Sequence, residues 1–333
     1  MSSDHIQNEK GKEVIIVKEL TRSMGTELFH DEFTEGYIKI PVPEGQSYRI
    51  MKINSCEFKE WLKWKYWKSN RVFLYNGLIK KILGPLQGEA RYEGQEHKLH
   101  VRVAWHEGNI YYDLGREKDM WAIEIEPTGW RVVKSPPILF RRYAHMKEQV
   151  IPASGGLAQE ALDFINVEEE RKDDRLLLLI LLVAYFIPDI PRPILILHGD
   201  PGSAKTSLMI VLRELIDPDE ESISAPPGSM REFAIDANQN YCVFLDNLSH
   251  LPEWLSDALC RLVTGEGYHA RKLYTDEDEI IFKYRRAAAI SGVNMVIERG
   301  DLFDRSLIFK LRQPKVREEE KELQQEFNAR KAY

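Results

Sequence analysis

The most specific chemistry in the chain is carried by one short segment, Gly199-Asp200-Pro201-Gly202-Ser203-Ala204-Lys205-Thr206-Ser207. The apolar run Ile194–Leu197, closed by His198, leads into it, and a helical pattern with Leu208, Val211, Leu212 and Leu215 follows. Strand, glycine turn and helix around G-x-x-x-x-A-K-T nearly match a phosphate-binding loop, with Ala204 in place of the last glycine. In such a loop, backbone N–H groups at a helix N-terminus wrap the β- and γ-phosphates, helped by the helix dipole. Lys205 would neutralise phosphate charge, and the Thr206 hydroxyl would bind Mg2+. Alanine has the smallest Cβ, so Ala204 should fit where the backbone needs only modest clearance. The expected ligands are ATP and Mg2+.

Forty-one residues beyond Lys205 (246 − 205), the apolar run Tyr241–Leu245 ends in Asp246. A strand-ending acid at that distance fits an Mg2+-orienting carboxylate. Asn247 stands where a Glu that polarises the attacking water would be expected. An amide orients water but cannot take its proton at neutral pH. Hydrolysis would then draw on Glu253, Asp257 or Glu266, or be slow. A further apolar run, Ala287–Ser291, leads to Gly292-Val293-Asn294, where Asn294 would hold the lytic water against the γ-phosphate. Arg305, after Asp301-Leu302-Phe303-Asp304, would reach a neighbouring subunit's γ-phosphate. The plainer readings are a turn asparagine and a solvated or salt-bridged arginine.

Two segments suggest nucleic acid. Between the Asp246 strand and Asn294, two β-prone arms (Gly265–Tyr274 and Ile280–Arg286) flank the acidic Asp276–Glu279 turn, which predicts a hairpin. His269, Arg271 and Lys272 are its candidate DNA contacts, since cations meet phosphate and rings stack on bases. The alternative is a surface hairpin whose cations pair with the neighbouring acids. The second segment is Trp61-Leu62-Lys63-Trp64-Lys65-Tyr66-Trp67-Lys68. Basic residues interleaved with aromatics can form a phosphate-and-stacking surface. The three-residue spacing of the tryptophans also fits a buried helical stripe with snorkelling lysines, and the tryptophans are expected in the core. Lys63, Lys65 and Lys68 are then candidates for a DNA-facing surface.

Taken in order, the phosphate loop, Asp246, the hairpin, Asn294 and Arg305 resemble the AAA+ ATPases of the superfamily 3 helicase branch. Leu245–Ser249, Pro252–Leu262, Thr264-Gly265, Arg271–Asp276 and Asp304-Arg305 resemble phage- and plasmid-type primase-helicase ATPases more closely. Tyr111–Gly115 and Gly129–Val133 are similar to the region that precedes the ATPase in such proteins. The resemblance spans roughly residues 50–315 and departs from the pattern at Asn247. It implies a ring, expected to be a homo-hexamer, with ATP sites at subunit interfaces and a hairpin gripping single-stranded or forked DNA. It also implies replication of a phage- or plasmid-like element, with any priming left to a separate primase or polymerase.

These residues need elements to hold them. Ile194–Leu197, Tyr241–Leu245, Ala287–Ser291 and Leu307–Leu311 read as strands buried on both faces, alternating with helices. That rhythm predicts an α/β, AAA+-like P-loop domain of three layers with a mostly parallel sheet, over residues 157–315. A smaller α+β domain, residues 1–134, should precede it, with 135–156 as connector and 316–333 as a charged C-terminal helix. In the first domain, Ile15–Val17, Gly36–Ile40 and Tyr48–Ile53 read as strands, and Glu57–Lys68 as a helix capped by Ser55. A second helix should run from Val72 to Leu83 and stop at Gly84-Pro85. Hairpins are expected around Glu107-Gly108-Asn109 and Pro127-Thr128-Gly129.

Composition bounds the rest. The chain has 333 residues, 43% hydrophobic and 30% charged, with a net charge of −7, which excludes disorder and a uniformly basic coat. Charge is segregated: Arg49–Lys81 holds nine Lys/Arg against two Glu, a local +7. Three scattered cysteines argue against a disulfide scaffold or a Cys-based metal site. Leu176–Ile187, the longest apolar run, is twelve residues, well short of the roughly 20 that span a membrane. It reads as a buried helix in a cytoplasmic, membrane-free protein. Three functions stay open: an ATP-driven DNA motor, an ATP-binding switch that loads on DNA with little hydrolysis, and a regulatory ATPase acting on a protein partner.

Overall fold

Short β-prone runs near the N-terminus pair into a sheet of order β3-β2-β1-β4. β1 (Glu27–His30) lies antiparallel to β2 (Gly36–Val42), and β2 antiparallel to β3 (Ser47–Lys52), with Phe29 opposite Tyr37 and Ile38 opposite Met51. β4 (Gln95–Glu96) adds parallel to β1. The computed structural model describes residues 25–42, 47–168, 170–266, 268–271, 279–282, 285–292, 300–313 and 320–333; the expected strand at Ile15–Val17 lies outside them. The chain divides into two units, residues 1–100, 117–122 and 133–141, and residues 101–116, 123–132 and 142–333. Residues 101–116 and 123–132 thus group with the second unit, although the sequence reading keeps them in the N-terminal domain.

In the first unit, α1 (Cys56–Asn70) starts at Ser55, whose hydroxyl accepts from the Phe58 amide at 3.0 Å. The stripe facing the sheet is Phe58, Leu62 and Tyr66, not the tryptophans. Positions four apart slip about 40° around a helix per step, whereas positions three apart slip about 60°, so the three tryptophans cannot all stay on one face. Trp61 is half-buried against Phe58, and Trp64 is 49% exposed. α2 (Asn76–Tyr92) runs through Gly84-Pro85 instead of stopping there. Leu86 and Ala90 continue its buried face beyond the proline, and their burial offsets a lost backbone bond on the solvent side.

After β5 (Leu99–His100) the chain enters the second unit with β6 (Val103–His106), β7 (Asn109–Asp113), β8 (Ala122–Glu126) and β9 (Gly129–Val133), which lie side by side in that order. The expected single strand Lys98–Trp105 breaks at Arg102, which has φ 60° and a buried guanidinium. β10 (Leu139–Phe140) pairs with β5 in the first unit. There the Tyr48 hydroxyl bonds the Pro136 and Ile138 carbonyls at 2.8 and 2.9 Å, so the first half of the 135–156 stretch is packed structure.

The second unit is built on a parallel sheet. A 3-10 turn (Ala158–Phe164) and α3 (Lys172–Tyr185) precede β11 (Ile194–His198), then come α4 (Lys205–Ile216), α5 (Met230–Gln239), β12 (Cys242–Leu245) and α6 (Glu253–Thr264). β13 (Tyr268–Arg271) and β14 (Glu279–Phe282) form the expected hairpin, followed by β15 (Ala287–Gly292), α7 (Gly300–Asp304), β16 (Ser306–Lys310) and α8 (Glu320–Arg330). Strand order is β12-β15-β11-β16, every pair parallel. Ile194, Ile196, Val243, Leu245, Ala288 and Ile290 face a layer made by α5 and α6. The alternate residues point to the other face, against which α4 lies. This is the α/β, parallel-sheet, three-layer arrangement that the continuous apolar runs predict.

α3 is only partly buried, contrary to expectation: Leu178, Leu181, Leu182 and Tyr185 face inward, while Leu176, Leu177, Ile180 and Val183 are exposed. Among the described residues no helix is long and apolar enough to cross a membrane. Beneath the sheet lies an ionic cluster that the sequence does not announce. Arg102 donates to Asp217 (2.9 Å) and to the Pro218 carbonyl (3.1 Å), while Arg213 pairs with Asp219 (3.1 Å) and lies 3.5 Å from Asp217. The second Asp217 oxygen accepts from the Tyr241 and Cys242 amides at 2.9 and 3.0 Å. One carboxylate thus ties the end of α4 to the start of β12.

Candidate active site

β11 sits between β15 and β16, and its carboxyl end opens into the Gly199–Ser207 loop. In open parallel sheets, ligands bind at such carboxyl ends, where the strand order reverses. Gly199 has φ 149°, and a Cβ there would stand 2.2 Å from the Leu311 carbonyl oxygen, so only glycine fits. Gly202 has φ 78°. Ala204 is the N-cap of α4 at φ 60° and ψ 31°, the left-handed region. What position 204 demands is therefore a backbone angle rather than clearance, and alanine meets it at a cost of roughly 1–2 kcal/mol.

Other residues brace the loop. The Asn166 amide donates to the Ser203 carbonyl at 3.1 Å and to the Arg312 carbonyl at 2.8 Å, and Gln313 donates to the Pro201 carbonyl at 3.1 Å. Sequence reasoning missed Asn166 and Gln313, because no spacing rule links a loop to residues flanking an earlier helix and a later strand. Lys205 Nζ reaches back to the Gly199 carbonyl (2.8 Å), the Asp200 carbonyl (3.1 Å) and Ser203 Oγ (3.2 Å). Among the described residues no carboxylate pairs with it, so its charge is available to an anion. Burial, with Lys310 and Lys205 nearby, lowers the pKa of His198 and favours its neutral form.

Thr206 Oγ1 donates to Asp246 Oδ2 at 2.7 Å. Asp246 Oδ1 accepts from the Asn247 amide at 2.9 Å and from the Ser291 hydroxyl. Ser291 ends the run Ala287–Ser291 and is fully buried; sequence reasoning took it only as strand. Asn247 has φ 58°, a conformation asparagine tolerates better than most residues. Glycine-only geometry at Gly199, a Lys205 ammonium bonded to neutral oxygens and, among the described residues, to no carboxylate, and a hydroxyl on a carboxylate fit a polyphosphate with a divalent cation. Thr206 and Asp246 would hold the cation. Among the described residues no three His, Cys, Asp or Glu gather as a metal site, so phosphate and water would complete the shell, as Mg2+ favours.

The other candidates are spread out. The Arg305 guanidinium pairs with the Asp301 carboxylate and donates to the Asp301 carbonyl at 3.0 Å, so in the single chain it is salt-bridged. Asn294 and Lys272 lie outside the described residues. His269 and Arg271 lie on β13, opposite Ile281 and Glu279 in the backbone pairing; their side chains are outside the described set. Lys63, Lys65 and Lys68 lie on α1 in the first unit.

The family of the actinomycete integrative conjugative element replication protein matches residues 160–332, more than half of the chain and all of the site just described. The chain belongs to that family. It is therefore grouped with the replication proteins of a mobile element. No curated protein matches it. Among solved structures, the apo A form of the NrS-1 C-terminal region aligns with a TM-score of 0.51 at 13% identity, covering 95% of this chain and 66% of that one. This chain thus spans just under two thirds of that structure, and at such identity the likeness speaks for the fold alone. A looser likeness is to SCCmec type IV Cch, described as an active helicase, with a TM-score of 0.46 and 11% identity over 92% of this chain and 57% of that one.

Proposed function

We infer that this chain is a Mg2+-ATP-dependent motor, of the superfamily 3 helicase type, that assembles on single-stranded or forked DNA during replication of its element. The observation that carries the reading is the Thr206–Asp246 hydrogen bond beneath an anion-ready loop, with Ser291 and the Asn247 amide orienting the same carboxylate. In this reading Gly199, Asp200, Pro201, Gly202, Ser203, Ala204 and Ser207 supply the loop backbone that wraps the phosphates. Lys205 neutralises them. Thr206 and Asp246 would hold Mg2+, which would neutralise charge on the phosphates. Asn247 and Asn294 orient water, Arg305 acts on a neighbouring subunit's site, and the β13–β14 hairpin with His269, Arg271 and Lys272 holds the strand. The assembly is a homo-oligomeric ring, taken as a hexamer, and priming is left to a separate primase.

A switch is the second reading, and Asn247 favours it, because an amide next to Asp246 cannot take a proton from water. One experiment separates the two: steady-state ATP hydrolysis with and without single-stranded DNA, at protein concentrations that permit assembly. Turnover stimulated by DNA is the expected result. Tight ATP binding without turnover in either condition gives the function to the switch, and absent ATP binding overturns both.

A further inference from the structure

The first unit displays on α1 and the turn after it a surface that the nucleotide site does not use. Trp64 is 49% exposed, Val72 57%, Phe73 80% and Tyr75 49%. Their cationic neighbours sit on the ring faces. Lys65 and Lys68 place their ammonium groups 5.1 and 5.2 Å from the centre of the Trp64 ring, and the Arg71 guanidinium lies 4.8 Å from that of Trp67. Trp67 in turn stacks with Phe73, with centroids 6.4 Å apart and planes 22° from parallel. Arg71 takes the left-handed conformation that ends α1 (φ 56°), which turns the chain so that Phe73 meets Trp67. Among the described residues, no carboxylate pairs with Lys63, Lys65, Lys68 or Arg71. Glu57, one of the two acids in the +7 segment, is engaged by Arg49.

This surface leaves two costs unmet, aromatic area in water and like charges side by side. Both have one remedy. An aromatic protein surface would cover the rings but not the cations, and a duplex would offer phosphates but keep its base faces stacked inside. A single strand offers both, because its bases expose their faces and its phosphates follow at regular intervals. We propose that the Trp64–Trp67–Phe73 face, with Lys63, Lys65, Lys68 and Arg71, is a stacking platform for single-stranded nucleic acid that binds without regard to base sequence and without ATP. The proposal rests on the reading that this chain works on DNA, but on neither the phosphate loop nor hydrolysis.

The test uses the full chain without nucleotide and a fluorescent oligo-dT of about 20 nucleotides, long enough to cover one such site. Trp64→Ala and Phe73→Ala should each weaken binding about tenfold, since stacking one base is worth roughly 1–3 kcal/mol. Trp64→Phe should keep most of the affinity, which separates stacking from a folding defect. Lys68→Ala should reduce the salt dependence by about one phosphate contact. Lys205→Ala should leave this binding unchanged; if it lost nucleotide binding as well as oligo-dT affinity, the platform would not be the separate site proposed. Unchanged oligo-dT affinity in the Trp64 and Phe73 variants would overturn the proposal. So would equal losses on a blunt duplex, or polyglutamate binding as tightly as oligo-dT, which would give the face to an acidic protein.

Discussion

The Arg305 carbonyl accepts a hydrogen bond from the Ile194 amide at 2.8 Å, which ties Arg305 to the end of β11 opposite the one that opens into the Lys205 loop. Ile194 lies opposite Ser306 and His198 opposite Lys310, so the full length of the strand pair separates the arginine from the loop. At about 3.3 Å per residue that is roughly 13 Å, beyond the reach of an extended arginine toward its own site. Arg305 is therefore out of reach of the phosphate loop of its own chain.

A mixing experiment follows from that separation. Lys205→Ala should abolish ATP binding, whereas Arg305→Ala should keep binding and lose turnover. Combined, the two inactive proteins should recover part of the activity, because the intact loop of one then meets the intact arginine of the other. No recovery at any ratio, with assembly verified by sedimentation, would remove the role in trans.

Ala204 sits at φ 60°, where glycine pays no steric cost. Ala204→Gly should therefore raise stability by about 0.5–1 kcal/mol, net of glycine's greater freedom in the unfolded chain. Ala204→Val, β-branched at the same angle, should lower it. Thermal melts check both, and a lower melting temperature for the glycine variant would contradict the left-handed assignment.

Ser291 touches Asp246 but no solvent. Its truncation in Ser291→Ala removes one of the hydrogen bonds that fix the carboxylate, worth about 1 kcal/mol. The Mg2+ concentration needed for half-maximal ATP binding should rise about fivefold, with ATP binding retained at saturating Mg2+. An unchanged Mg2+ dependence would leave Ser291 a packing residue.

Asp217 links Arg102 and Arg213 in a fully buried cluster. Burial alone would raise its pKa, but Arg213 and Arg102 hold it below the usual carboxylate range. Its contribution is thus present above the unfolded value, about 3.9, and lost as the pH falls through the lower folded value. Asp217→Asn should cost about 3–5 kcal/mol at neutral pH, since the buried Arg102 loses its carboxylate partner and Arg213 loses one of two. Denaturant melts against pH should show the gap between variant and wild type closing in acid. A gap that stays constant across the acid range would sink the assignment.

Much of the site was legible because its chemistry is local. The Gly199–Ser207 loop needs a strand before it, a helix after it and a few small residues between, and all of these are neighbours in the chain. The Ser55 cap, the parallel-strand runs and the hairpin between Gly265 and Arg286 could be read for the same reason. Where the reading failed, packing decided. The α2 stop at Pro85 was overruled by Leu86 and Ala90, and the tryptophans of α1 gave way to Phe58, Leu62 and Tyr66 once the sheet selected a face.

The sequence by itself determined which residues are candidates for phosphate, metal and DNA chemistry, since those demands are met by residue type and short spacing. Only the tertiary structure decided which of them meet. The Ser291 hydroxyl comes onto Asp246 through β12–β15 pairing, Asn166 onto the loop through a turn of chain, and Arg305 to the far end of β11 through the parallel register of β16. Register and crossover connections couple residues far apart in the chain, and they follow from how whole faces are buried together.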